Sequence, residues 1–310
     1  MKREIRLPLT AQGRLDRALA DALGLGRAAV KRAFALGEVR VRGRRARASD
    51  PAAPGALVEL DVEEPAGPPA PEPDAPLAVV LEAPRFVVVD KPAGIAVHPL
   101  APGEGGTLAN AVAARYPECA AASPDPREGG AVQRLDLETS GCVLFARDPE
   151  AWEALHAQLR ARTVEKVYRA LVAGRLAAGG VSSAPLAQRG GRVVAAPDAE
   201  AEDRLLAKGL KPRPAETFYE PERRFAAHTL LRVRITTGVM HQIRAHLALL
   251  GHPVAGDVLY GGPAAALPGL ERHFLHAARL AFDAPEGGRV AAESPLPREL
   301  EAVLARLPPG

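Results

Sequence analysis

In AVQRLDLETSG, Ala131 to Gly141, a single aspartate stands between two leucines and just ahead of a small Thr-Ser-Gly turn. If the segment is extended, Leu135 and Leu137 face one way while Arg134, Asp136 and Glu138 face the other. The apolar run CVLFA at 142–146 then suits a strand buried on both sides, so a charged edge leads straight into a core. Asp136 reads either as a strand-end carboxylate in water or as a rigidly held catalytic acid. Glu138, roughly 6.6 Å along the same strand face, adds a third reading, the paired carboxylates of a glycosidase.

Other chemistry has less support. Gly103, Gly105 and Gly106 lack the Gly-Lys-Ser/Thr ending of a phosphate loop, and no dinucleotide fingerprint occurs. His241 and His246 lie five residues apart, about 140° around a helix, too far to share a metal. His273 and His276 are spaced to meet but have no third ligand. The segment HQIRAHLALLG reads as a helix closed by Gly251, with Ile243, Leu247 and Leu250 as its apolar stripe. Arg244 borders that stripe, with His241 one turn before it, and an arginine beside a buried stripe requires an acidic partner.

The elements that must position these groups follow from pattern. RFVVVDKPAG is an apolar strand broken by a turn, WEALHAQLRAR an amphipathic helix with Trp152, Leu155 and Leu159 on one face, and VYRALVAG and TLLRVRIT are strands. Residues 176–216 carry little pattern and read as a surface excursion. Ahead of the body, EEPAGPPAPEPDAP at 63–76 contains six prolines and reads as a stiff linker. It separates a module at 1–62 from a body at 77–310. The module reads as two helices and then short strands, with Val39 and Val41 inward and Arg40 and Arg42 outward.

The chain has 310 residues and 47% hydrophobic composition, enough for a substantial core and two unequal domains. No stretch approaches the roughly 18 apolar residues of a membrane span, and MKREIRLPLT lacks a signal-peptide core, so a cytoplasmic protein is expected. Two isolated cysteines, Cys119 and Cys142, agree with a reducing compartment and a structural role. Net charge is only +3, but residues 1–62 hold 13 Lys/Arg against 7 Asp/Glu. Eight of those cations fall between Arg27 and Arg47 beside one acid, Glu38. The helix pair and β turn would present Arg27, Lys31, Arg32, Arg42, Arg44 and Arg45 to phosphates, giving salt-sensitive binding with little sequence readout.

The module RLDRALADALGLGRAAVKRAFALGEVRVRGRRARASDPAAPGALVEL resembles an S4 RNA-binding domain. The body resembles the RluA/RluD family of RNA pseudouridine synthases in QRLDLETSG (133–141), KVYRALVAG (166–174) and TGVMHQIRAHLALLGHPVAGDVLYGG (237–262). RFVVVDKPAGIAVHP, TLANAV, FLHAARLAF and SPLPRELEAVL agree in order. The resemblance implies an α+β body around a mixed, largely antiparallel sheet, the pseudouridine synthase fold, behind a small N-terminal α/β S4-like domain. It implies isomerisation of a uridine in RNA: the N1–C1′ bond breaks, the uracil turns, and C5 joins C1′. No cofactor, metal or membrane is required, and a monomer is expected.

By that resemblance Asp136 is the catalytic carboxylate, Tyr168 packs on the everted uracil with a hydroxyl able to assist proton removal from C5, and Arg244 forks onto Asp136. Arg134, Lys166, His241 and Gln242 join the RNA contacts. Large-subunit ribosomal RNA is the expected substrate, with transfer RNA as the alternative. Two departures stand out: Gln133 replaces a usual histidine, and Val239-Met240 replaces Arg-Thr. They motivate a second class of reading, a non-catalytic RNA-binding or ribosome-assembly factor that keeps the fold.

Overall fold

The computed structural model describes residues 2–23, 27–61, 67–101, 103–261 and 267–310. The chain divides into two compact units, Met1–Gly67 with Ala101–Gly103, and Pro68–Leu100 with Glu104–Gly310.

In the first unit β1 (Lys2–Arg6), β4 (Leu57–Asp61), β2 (Val39–Val41) and β3 (Arg44–Arg45) form an antiparallel sheet in that order, covered by α1 (Leu15–Leu23) and α2 (Arg27–Leu36). Leu15, Leu19, Val30, Val39, Val58 and Leu60 make its core. Helix α2 stops where Gly37 takes φ +75, which glycine adopts without the Cβ penalty, and the Arg45 guanidinium lies where a Cβ there would sit. Lys31, Arg42, Arg44 and Arg45 are exposed. The side chains of Arg27 and Arg32 lie outside the described residues.

The second unit is built on one twisted sheet. Its elements are β5 (Ala78–Glu82), β6 (Phe86–Lys91), α3 (Leu108–Arg115), β7 (Ser140–Ala146), α4 (Pro149–Ala161), β8 (Glu165–Ala173) and β9 (Gly180–Ser182). There follow β10 (Leu186–Arg189), β11 (Arg192–Ala195), α5 (Ala199–Ala207), β12 (Thr217–Arg224), β13 (His228–Ile235), α6 (Gln242–Leu249), β14 (Leu275–Asp283), β15 (Arg289–Glu293) and α7 (Arg298–Arg306). The order is β5-β6-β7-β14-β8-β13-β12-β9, with β15 beside the far half of β14. Every pair is antiparallel except β7 with β14. There Gly141, at φ +114, lies so close to the backbone of Ala277 that a Cβ would collide with it.

The run at 142–146 is buried on both faces, as its composition predicts. Val143 and Phe145 join Val87, Val89, Leu108 and Val112 on one side, while Cys142 and Leu144 join Phe86, Trp152 and Leu155 on the other. Both cysteines are free and buried.

Three expectations change. The proline-rich stretch is not a free spacer along its described part. Residues 68–76 belong to the body, where Asn110 Nδ2 donates to the Ala70 carbonyl (2.8 Å) and Gly106 N donates to Glu72 Oε1 (2.9 Å). Residues 62–66 lie outside the described residues. The supposed excursion at 176–216 is ordered as β9, the β10–β11 hairpin and α5. In α6, Ile243 and Leu247 enter the core but Leu250, past the last turn, is 37% exposed. No helix among the described residues is long and apolar enough to cross a membrane.

Candidate active site

Asp136 does not sit on a strand. Residues 133–139 form a loop whose last turn closes with Thr139 N–H donating to the Asp136 carbonyl at 3.0 Å. The expected alternation therefore fails: Leu135 packs into the core while Leu137 is 52% exposed. The strand spacing that would pair Asp136 with Glu138 as glycosidase carboxylates is absent too.

Side chains from distant segments hold this loop. Lys91, at 0% exposure, donates to the carbonyls of Pro92, Ile95 and Leu137, each at 2.9 Å. Burial lowers its pKa to about 8, with the Glu138 charge opposing. Arg272 Nη1 donates to the Glu138 carbonyl (2.9 Å), and His273 Nε2 lies 2.8 Å from the Thr139 hydroxyl. At the loop's start, Gln133 bonds the β7 backbone, donating to the Cys142 carbonyl (3.3 Å) and accepting from Leu144 N (3.2 Å). Its amide holds the loop on the sheet.

The acidic partner of Arg244 is two carboxylates. Arg244 Nη1 donates to Asp136 Oδ2 at 2.9 Å, while its Nε and Nη2 fork onto Asp257 at 2.7 and 2.9 Å. The expected fork onto Asp136 thus belongs to the buried Asp257, which also accepts from Leu259 N (3.0 Å) and Tyr260 N (3.1 Å). Burial disfavours the Arg244 charge, but the two carboxylates outweigh it and raise its pKa; burial likewise opposes the Asp257 charge, and Arg244 prevails and lowers it. Asp136 keeps 22% side-chain exposure against none for Asp257. One arginine thereby carries a structural and a solvent-reachable carboxylate.

Tyr260 completes the wall. Its ring lies 5.2 Å from both the Arg244 and the Arg192 guanidinium carbons, and its hydroxyl accepts from Val193 N (2.8 Å) and meets His241 Nδ1 (3.0 Å). His241 Nε2 stands 3.9 Å from Asp136 Oδ2, and burial lowers its pKa against the pull of that carboxylate. Val239 and Met240 pack with Leu186, Val193 and Tyr260, so the apolar pair at this position supports the β10–β11 hairpin.

Tyr168 on β8 is buried, and burial, with the charge of Asp136, raises its pKa. The phenol stays neutral, which suits ring packing and leaves little phenolate to act as a base. Arg134 is exposed. Gln242 is buried and spent: it accepts from Thr237 Oγ1 (2.8 Å) and Val239 N (3.1 Å) and donates to the Glu216 carbonyl (2.8 Å) and Thr217 Oγ1 (3.1 Å). It braces the loop before α6 and has no group left for RNA. Lys166 is buried with its amine on the Thr237 carbonyl (2.9 Å).

His246 and His276 have structural partners: His246 bonds Thr217 Oγ1 and the Ala184 carbonyl, and His276 bonds Ser140 Oγ and the Ser294 carbonyl. No metal-ligating group of three or more His, Cys, Asp or Glu occurs among the described residues. Sequence reasoning missed Asp257, Tyr260 and Lys91. Asp257 and Tyr260 stood in the block quoted for Arg244, with Gly256 as their signal: its φ of +78 and its closeness to the Arg272 carbonyl exclude a side chain.

A family model described as RNA pseudouridylate synthase matches residues 85–249. A protein of Chloroflexus aurantiacus named uncharacterized RNA pseudouridine synthase is 43% identical over 304 residues, 97% of this chain and 92% of that one. Ribosomal large subunit pseudouridine synthase D of Xanthomonas campestris pv. campestris is 40% identical over 69% of this chain, an alignment spanning 64% of that protein. Among solved structures, human RNA pseudouridylate synthase domain containing 1 superposes with a TM-score of 0.59 at 23% identity, covering 77% of this chain and 91% of that one, a likeness of fold.

Proposed function

The chain belongs to the RNA pseudouridylate synthase family, and from that premise we propose that it isomerises uridine in large-subunit ribosomal RNA with Asp136 as the catalytic carboxylate. The activity of the family is an isomerisation of RNA. The observation that carries the residue assignment is the Arg244 clamp: a guanidinium locked on buried Asp257 holds the Asp136 carboxylate at 2.9 Å while leaving it open to solvent. The substrate class is supported by the relatives named for the large ribosomal subunit.

The chemistry follows from that arrangement. A base inside a stacked helix cannot detach and rotate, so the target nucleotide must be everted into the site. Asp136, aimed by Arg244, acts on the sugar as the N1–C1′ bond breaks, either at C1′ as nucleophile or at C2′ as base. The uracil turns against the Tyr168 ring, C5 bonds to C1′, the C5 proton leaves, and N1 takes up a proton. Atoms balance without an external donor. The exposed cations of the N-terminal unit, with Arg134, supply phosphate contacts in this reading, as an S4 RNA-binding domain would.

The test is purified protein on unmodified large-subunit ribosomal RNA and on transfer RNA, with pseudouridine mapped by carbodiimide-dependent primer stops. Asp136→Asn is expected to reduce new stops by on the order of 10⁴ or more, with binding within a few-fold. Full activity in that variant refutes the assignment. Stops only on transfer RNA correct the substrate, and binding without stops in the wild type favours the assembly-factor reading.

A further inference from the structure

The body buries two lysines with opposite bonding. Lys91 spends all three ammonium donors on carbonyls, and its amine lies in the field of Glu138 and Asp136. Lys166 is 8% exposed and its amine makes one hydrogen bond among the described residues, to the Thr237 carbonyl at 2.9 Å. No carboxylate pairs with it among the described residues, and burial alone acts on its charge. A buried ammonium with two free donors and no counter-ion is a costly arrangement unless an anion completes it.

Its surroundings show where an anion can enter. Lys166 precedes Tyr168 by two residues on β8, so both side chains stand on the same face of the strand. Its carbonyl partner opens the loop 237–241 that ends at His241, 3.9 Å from Asp136. That loop is firm, because Gln242 accepts from both Thr237 Oγ1 and Val239 N. Gly238 within it is exposed, and a Cβ there would stand 3.8 Å from the Lys166 amine. Its φ lies outside the left-handed region, so no backbone conformation demands glycine at this point. The missing side chain leaves the approach to the amine open.

We infer that Lys166, reached across Gly238, binds a backbone phosphate oxygen of the RNA at the everted nucleotide. This rests on the reading of the chain as an RNA pseudouridine synthase and gives it a positioning contact inside the site, separate from the exposed cations of the N-terminal unit. The phosphate takes the two free donors, while the Thr237 carbonyl keeps the third and fixes the amine's direction. Seating the phosphate beside Tyr168 sets the sugar over Asp136.

Large-subunit ribosomal RNA transcript is the probe, with the full-length wild type, Lys166→Met and Gly238→Ala compared for pseudouridine formation and for binding across a salt series. Lys166→Met is expected to raise KM about 10-fold or more with kcat within a few-fold, as for loss of a charge-assisted hydrogen bond. The slope of log affinity on log salt should flatten by about 0.7 to 0.9, the release of one phosphate's counter-ions. Gly238→Ala, which keeps the lysine, should raise KM several-fold with the melting temperature unchanged. A purely structural lysine would lower the melting temperature and leave the slope alone. An unchanged slope in Lys166→Met, or a changed kcat with unchanged KM, overturns the inference. Absence of pseudouridine with the wild type overturns the functional reading instead, and the slope still decides whether Lys166 meets a phosphate.

Discussion

Arg42, Arg44 and Arg45 of the N-terminal unit stand in solvent with no ion pair among the described residues, whereas Lys91, Lys166 and Arg244 of the body are buried and bonded. The first set can meet phosphates at many positions, because water lets its long side chains reorient at little cost. The second set gains geometry instead: Arg244 holds two carboxylates at fixed distances, and Lys91 ties the loop at 133–139 to the turn after β6. Removing the exposed arginines should weaken RNA attraction and leave the arrangement around Arg244 intact, whereas removing the buried cations should disturb that arrangement.

The largest expected effect breaks the buried side of the comparison. Asp257→Ala leaves the Arg244 fork unpaired in the core and should cost about 3–5 kcal/mol by denaturant unfolding, together with most of the activity. Asp136→Ala removes the outer carboxylate of the same arginine and should cost far less stability, because Asp257 still holds the guanidinium. Equal losses would mean that the two carboxylates do not divide the work as their exposure indicates.

Acid should separate the two units next. All eight histidines lie in the body, none in residues 1–67. Burial holds His273 at about 4 and also lowers the pKa of His246 and His276. The unfolded chain therefore takes up protons first as pH falls below about 6.5, so the histidines' contribution to body stability is complete above that value and declines until about pH 4. His273→Gln should flatten the decline in denaturant titrations at successive pH values. A body equally stable at pH 7 and pH 4.5 contradicts the burial assigned to these rings.

The exposed side gives a smaller effect, on binding alone. Arg42→Ala with Arg44→Ala should flatten the salt dependence of RNA affinity by about 0.7 to 0.9 per lost phosphate contact, without moving the melting temperature or kcat. An unchanged slope would leave the N-terminal unit without a role in RNA binding. Smallest of all, Tyr260→Phe keeps the ring between Arg192 and Arg244 but leaves Val193 N–H and His241 without their hydroxyl partner. It should cost about 1 kcal/mol.

What could be seen in the sequence was local. The CVLFA strand and the α4 and α6 helices follow from short stretches of chain, whereas Asp136, Tyr168 and Arg244 are grouped only by the family resemblance. What escaped depends on contacts between distant segments. The loop at 133–139 turns because Lys91, Arg272 and His273 reach it from far away, and no spacing around Asp136 announces them. The Arg244 fork chose the aspartate 13 residues on over the one 108 residues back, a choice set by burial. The β10–β11 hairpin could have been found: LAQRGGRVVA places two four-residue strands around a Gly-Gly turn. The hold on the proline-rich stretch rests on Asn110 reaching back to Ala70, which composition cannot reveal.

The parallel join of β7 to β14 has a bearing on how the protein is made. Asp136, Tyr168 and Arg244 all leave the ribosome before β14, the strand that sits between β7 and β8 and brings the two halves of the sheet together. Until residues 275–283 emerge, a growing chain holds Asp136, Tyr168 and Arg244 without the strand that joins β7 to β8.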